Sequence, residues 1–284
     1  MISLCAPTPE LSCFGCCPPI RPSHYDPLAY ASSLRREFSD NRRRFLDEGP
    51  RYRPIIGFHC WALGYLDEWG RRVGCLLHPC QNGGEDLRSL IDYGEKCRRE
   101  SCLSSRMFGL LPREGQQFWL SLVRGLSAFY YSSRRSNPLF HLVLWGPSVL
   151  ETLRSQCREN ESSATELLHR HPFLLDRAWN PKADRFLFRL VLDLASQQGK
   201  FLSESCLTAR CRQLRQELFS LEEVRSGPGG SEDLLYTHHL PLENDFLDLL
   251  RLGLGWRKVS PAPAIQLHER MIRLARSIDE NFGL

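Results

Sequence analysis

The sequence predicts a mainly α protein, with an irregular, cysteine-rich, metal-binding N-terminal part packed on a C-terminal helical domain and a division at 107/108. Two observations carry this reading. Nine of the 12 cysteines fall within the first 102 residues, in a stretch rich in Pro, Gly and Arg. Beyond residue 107 apolar residues recur at helical spacing with few breaks. Apolar residues make up 42% of the 284 positions and charged residues 25%, a composition that supports a real core.

Residues 5–23 carry Pro7, Pro9, Pro18, Pro19 and Pro22, and each proline restricts its own φ and the residue before it, so an ordered loop is expected. A helix is expected over 26–47, with Asp26 as cap, Pro27 in the first turn, Leu34, Phe38 and Phe45 on one side, and Gly49-Pro50 as the stop. Residues 54–78 read as short extended pieces, with Asp67-Glu68-Trp69-Gly70 turning between Cys60–Leu63 and Val73–Leu77. After a turn at 81–84, a helix is expected from Glu85-Asp86 towards Cys97, since carboxylates suit a helix N-terminus.

The second part reads as about six helices. Phe118, Trp119, Leu122, Val123, Leu126, Phe129 and Tyr130 form one apolar stripe, which stripes of this kind usually bury. Residues 139–153 are apolar with an interruption at Gly146-Pro147, and 186–194 are apolar almost all round, which predicts a central helix. Segments 206–221, 244–252 and 265–278 complete the set, and 226–231 is the clearest flexible link.

The net charge of +4 is too small to argue for nucleic acid, and the Arg doublets and triplet are interleaved with Asp and Glu, as on solvated faces. No segment approaches the ~18 unbroken apolar residues of a membrane span. The N-terminus has neither a basic nor an apolar leader region, so a cytoplasmic protein is expected. There is no G-x-G-x-x-G, Walker loop, G-x-S-x-G or H-E-x-x-H, and so no recognisable catalytic motif.

In a reducing compartment, clustered thiols more often bind metal than form disulfides. The candidate ligands are Cys13, Cys16, Cys17, Cys60, Cys75, Cys80, Cys97 and Cys102. Cys13-Phe14-Gly15-Cys16 is a C-x2-C pair whose two sulfurs can turn onto one ion, while adjacent Cys17 reaches a second metal atom, serves a cluster or is a spare. A hairpin would bring Cys60 to Cys75, and a helix would have to end or tighten between Cys97 and Cys102. Together these groupings predict that Cys13, Cys16, Cys60 and Cys75 converge. The competing reading is that these are small buried hydrophobes. Cys157, Cys206 and Cys211 lie on helical patterns without local partners and read as core or surface thiols. His59, His78 and the His238-His239 pair are weaker candidates than the thiols, His78 being the nearest to two cysteines.

The order Cys13-x2-Cys16-Cys17, then Cys60-Trp61-Ala62-Leu63, then Gly74-Cys75-Leu76-Leu77-His78-Pro79 resembles the bacterial CxxCxxCC putative zinc- or iron-chelating family, over about residues 13–102. That family pattern has two spaced cysteines before the CC pair. Here Cys13 supplies one, and Cys5 stands further off and is left out of the ligand set. The resemblance implies a cysteine-held metal centre, and some relatives resemble protein-modifying enzymes with a cluster.

The expected cofactor is an iron–sulfur cluster ahead of zinc, because eight cysteines exceed one ion's four ligands and a cubane presents separate irons to neighbouring thiolates. Two alternatives stay open: a metallocluster-dependent enzyme modifying a protein or small molecule, and a helical interaction module with a structural zinc. A protein partner or substrate fits any of these, whereas neither membrane nor nucleic acid is expected.

Overall fold

The computed structural model describes residues 2–17, 25–56, 59–156, 163–227 and 234–281. Cys157 and most of the 226–231 link lie outside the described residues. The protein is mainly α, and its strands, among the described residues, form two short two-stranded antiparallel pairs. It divides into two compact units, Met1–Val143 and Leu144–Leu284. No helix among the described residues is long and apolar enough to cross a membrane.

In the first unit, Asp26 caps a short 3-10 turn, its carboxylate accepting the Leu28 amide at 2.9 Å. The chain then runs directly into helix α1 (Ala31–Glu48). Gly49, at φ 70°, ends α1 in a conformation that costs glycine little. The buried face of α1, Leu34, Phe38 and Asn41, lies on strand β1 (Leu63–Tyr65), with Asn41 Nδ2 donating to the Leu63 carbonyl at 2.9 Å. A Cβ at Gly64 would stand 3.2 Å from the Phe38 carbonyl oxygen and 2.9 Å from Leu76 Cδ1, so glycine sets this close approach. Strand β2 (Val73–Cys75) pairs with β1 in the register Leu63↔Cys75 and Tyr65↔Val73. The expected turn between them is held by Asp67, whose carboxylate accepts the Arg71 and Arg72 amides at 3.1 and 2.6 Å.

The helix expected from Glu85 to Cys97 is broken in two. Asp86 caps a 3-10 turn over Leu87–Leu90, Ile91 is extended and buried, and α2 (Gly94–Arg99) follows. Gly94 sits so close to the Arg88 carbonyl that a Cβ would be only 2.1 Å from its oxygen. The chain is extended at Glu100 and Cys102 caps α3 (Leu103–Gly109), which is the break the cysteine spacing requires.

The stripe read over 118–130 is likewise interrupted. Helix α4 (Arg113–Leu120) gives way to a 3-10 turn, then Gly125 at φ 79°, then α5 (Ala128–Ser132) capped by Ser127. Trp119 and Phe129 are buried as a core reading requires, whereas Tyr130 is exposed. Helix α6 (Leu139–Leu142) closes the unit.

The change in composition at 107 therefore falls inside the first unit, because residues beyond it are tied to the N-terminal segment. Phe14 packs edge-on against both Phe38 and Phe129, with ring centroids 5.2 Å apart in each pair. The Phe14 amide donates to Ser132 Oγ at 3.0 Å, and Tyr131 Oη donates to the Leu4 carbonyl at 2.8 Å.

The second unit is built from helices α7 (Gly146–Ser155), α8 (Ala164–Arg170), α9 (Pro181–Gln197), α10 (Glu204–Ser220) and α11 (Glu222–Arg225). They are followed by strand β3 (Leu235–Tyr236), α12 (Asn244–Asp248), strand β4 (Lys258–Val259) and α13 (Pro261–Asn281). The nearly all-apolar stretch forms α9, buried on most of its faces, with Asn180 Oδ1 accepting the Lys182 amide at 3.1 Å as its cap. Its Phe188 packs with Trp145, Phe173 and Trp179 at the centre of this unit. Arg185 on the same helix is buried and paired with Asp245 at 2.7 Å and Asp248 at 2.8 Å.

Candidate metal centre

All nine cysteines of the first 102 residues line one partly open cavity of about 600 Å³ in the first unit. Four separate stretches of chain deliver them. Cys5, Cys13, Cys16 and Cys17 come from the N-terminal segment, and Cys60, Cys75 and Cys80 from the hairpin and the turn after it. Cys97 comes from α2, and Cys102 from the cap of α3.

The N-terminal segment is positioned by bonds that cross long sequence separations. Besides the Phe14 and Tyr131 contacts, Ser12 Oγ donates to the Val73 carbonyl at 2.8 Å and accepts the Val73 amide at 3.1 Å. Within the segment the Cys13 amide donates to the Cys5 carbonyl at 2.9 Å, folding Cys5 back beside Cys13.

Backbone amides point at several of the sulfurs. Gly15 N–H donates to Cys13 Sγ at 3.3 Å, and Ser105 N–H donates to Cys102 Sγ at 3.4 Å. The amides of Ala62 and Leu63 serve Cys60, and that of Leu77 serves Cys75. In each case the donor lies two or three residues after the cysteine, so the chain turns back over its own sulfur. Such donors favour the thiolate over the thiol and tune sulfurs that bind metal.

Burial opposes them and prevails. It pushes the Cys13 and Cys60 thiols up to about 12 and Cys75 to about 11, with N–H donors pulling the other way. Cys5 and Cys97 are also raised by burial, and the Arg88 guanidinium opposes this at Cys97. Cys17 is raised well above its ordinary value, first by its hydrogen bond with Cys16 and then by burial. A group of buried sulfurs offered N–H donors but held protonated by desolvation is a donor set that a thiophilic cation satisfies, because binding it replaces the protons. Arg72, Arg88, Lys96 and Arg98 also line the cavity, opposite a single lining carboxylate, Glu100.

The cavity thus brings together all eight sequence candidates and adds Cys5, which the sequence reading left out. The missed signal is the proline-punctuated turn between Cys5 and Cys13, which returns the chain on itself. Arg88 was also missed. It donates to the Cys97 carbonyl at 3.0 Å and is held by Asp86 at 2.7 and 2.8 Å. Cys13, Cys16, Cys60 and Cys75 all line this cavity. The neighbouring thiols that raise Cys13 are Cys16, Cys5 and Cys102, and those that raise Cys60 are Cys75 and Cys97. Among the described residues no three cysteine, histidine or carboxylate side chains stand as a preformed metal-ligand group.

Cys80 is exposed on the 3-10 turn Pro79–Gln81, its amide donating to His78 Nδ1 at 3.2 Å. His78 therefore bonds a neighbouring amide and is lowered in pKa, mainly by burial. His59 pairs with Glu37 at 3.0 Å. Cys206 and Cys211 lie together on α10 in the second unit, Cys211 fully buried. His238 and His239 are exposed beside Tyr236. Among the described cysteines none is joined in a disulfide. No protein-family model, no curated protein and no solved structure matches this chain.

Proposed function

We propose that the N-terminal unit holds a metal cofactor through its cysteine thiolates, an iron–sulfur cluster ahead of zinc, and that the protein acts through this centre. The observation that carries the reading is the convergence of nine cysteines, from four stretches of chain, on one cavity. Amides aimed at four of the sulfurs and lining cations that offset thiolate charge support it. The preference for a cluster follows from room and number. A tetrahedral zinc sits about 2.3 Å from each sulfur and needs four ligands and little space. Here the thiols surround about 600 Å³ and number more than twice that.

Purification without oxygen tests this, with analysis of iron, zinc and acid-labile sulfide. A brown protein whose broad visible absorption is bleached by dithionite is the expected result. A colourless protein with stoichiometric zinc, and no iron or sulfide after anaerobic reconstitution, replaces the cluster with zinc. A protein that retains neither metal overturns the reading.

One observation favours a second reading, a cluster-dependent enzyme acting on a small molecule or a protein. The cavity is partly open, and Ile55, Leu66 and Ile91 line it along with the thiols, giving apolar surface near the candidate ligands. Iron left with a non-cysteine coordination position in the bound cluster would distinguish this reading from electron transfer or a structural role.

A further inference from the structure

Building on that reading, we propose that the thiols form two neighbouring four-thiolate centres, one held by Cys5, Cys13, Cys16 and Cys102 and the other by Cys17, Cys60, Cys75 and Cys97, with the Cys16-Cys17 peptide joining them.

The first set is marked out by geometry. A separate small cavity of about 10 Å³ has these four, and no other cysteine, in its wall. That volume is close to one water or one ion. Ser105 ties two of its members together, its amide donating to Cys102 Sγ at 3.4 Å and its hydroxyl lying 3.9 Å from Cys5 Sγ. The Cys13 amide is bonded to the Cys5 carbonyl at 2.9 Å.

The second set is gathered by the hairpin and by Arg88. The register places Cys75 opposite Leu63, whose amide donates to the Cys60 carbonyl at 3.0 Å, and Leu76 N–H donates to the Ala62 carbonyl at 2.8 Å. Arg88 donates to the Cys97 carbonyl at 3.0 Å, and its charge acts on both Cys75 and Cys97. Packing groups the second set: Cys60 is buried in the hydrophobic cluster around Phe14 and Phe38, and Cys17, Cys75 and Cys97 pack against the same cluster. Each set contains two sulfurs that receive backbone amides: Cys13 and Cys102 in one, Cys60 and Cys75 in the other.

Two centres also suit the adjacent pair: Cys16 and Cys17 are hydrogen-bonded to each other, so they stand where the two sets meet and each can serve one centre. Each metal bound replaces the thiol protons of its own set, which leave to solvent. Cys80, on its own 3-10 turn with its amide bonded to His78, belongs to neither set.

The test loads the full-length protein anaerobically with zinc(II) alone, counts bound zinc, and maps thiol alkylation by mass spectrometry. Two zinc per chain are expected, with Cys80 reactive. Cys60→Ser should retain one zinc, with Cys5, Cys13, Cys16 and Cys102 protected and Cys17, Cys75 and Cys97 exposed to alkylation. Cys13→Ser should show the reverse. Substoichiometric zinc on the unmutated protein avoids any folding loss, and protection should then arise within one set before the other. A single zinc lost from either variant, or protection that mixes the two sets, overturns the division while leaving a metal centre in place. Failure to bind zinc, or iron with sulfide, overturns the metal reading itself.

Discussion

The amide of Cys13 donates to the carbonyl of Cys5 at 2.9 Å, so the first cysteine of the chain lies beside the C-x2-C pair and not outside it. The bond is local, but what holds the folded-back segment is not. Leu4 and Phe14 are both fully buried, and each is bonded to α5, more than a hundred residues on.

Tyr131→Phe tests that anchoring. Tyr131 is fully buried and its hydroxyl donates to the Leu4 carbonyl at 2.8 Å. The substitution keeps the ring and leaves a buried carbonyl without this donor, at a cost of about 1–3 kcal/mol. Urea denaturation should show that loss, and Cys5 should alkylate faster than in the unmutated protein. Unchanged stability and unchanged Cys5 reactivity would mean that the segment is held without this bond.

The parts of the fold legible in the sequence are those fixed by neighbours in the chain. Asp26-Pro27 starts a helical segment and Asp67–Gly70 turns a hairpin, because each supplies its own cap or turn acceptor. Likewise Cys97 and Cys102 cannot share a helix face, and the helix ends between them. The breaks within 85–97 and 118–130 were hidden for the opposite reason. They depend on Gly94 lying against Arg88 and on the positive φ of Gly125, which apolar periodicity does not register. Cys5 went unread because its place is set by Tyr131 and Ser132, far along the chain.

The stability of the metal-free fold and its affinity for metal should depend on pH with opposite signs. Folded thiols raised to about 12 at Cys13 and Cys60 and about 11 at Cys75 hold their protons more tightly than the unfolded chain, whose ordinary value is 9.0. Their contribution to the stability of the metal-free fold is complete below about pH 9 and is lost as pH rises through the folded values. Metal affinity runs the other way, rising with pH by up to about tenfold per unit for each proton displaced. Urea melts of chelator-treated protein at about pH 8 and about pH 10 should show destabilisation at the higher value, and metal-loaded protein should show less. Equal loss in both forms would mean that these thiols are not the metal ligands.

Arg88 should act on the centre without ligating it. Its guanidinium favours the thiolates of Cys75 and Cys97 and is held in place by Asp86. Arg88→Ala should speed metal loss to a chelator on the order of tenfold, as removal of a supporting partner commonly does. Arg88→Lys keeps the charge but loses the paired contact with Asp86, so an intermediate rate is expected. A lysine variant as impaired as alanine would assign Arg88 a packing role.

Cysteines of the second unit should separate from those of the first. Cys206 is half-buried on α10, and Cys211 on the same helix is fully buried. Cys206→Ser should change neither stability nor metal content measurably. Cys211→Ser places a hydroxyl in a fully buried position and should cost about 1–3 kcal/mol, again with metal content unchanged. Cys75→Ser, by contrast, removes a sulfur that accepts the Leu77 amide and whose strand partner Leu63 and neighbouring Arg88 both line the cavity, and should lower bound metal. Metal analysis and urea denaturation of the three variants, purified in parallel without oxygen, check this contrast. Metal loss from Cys206→Ser equal to that from Cys75→Ser would place the centre among cysteines of both units and overturn the assignment to the first.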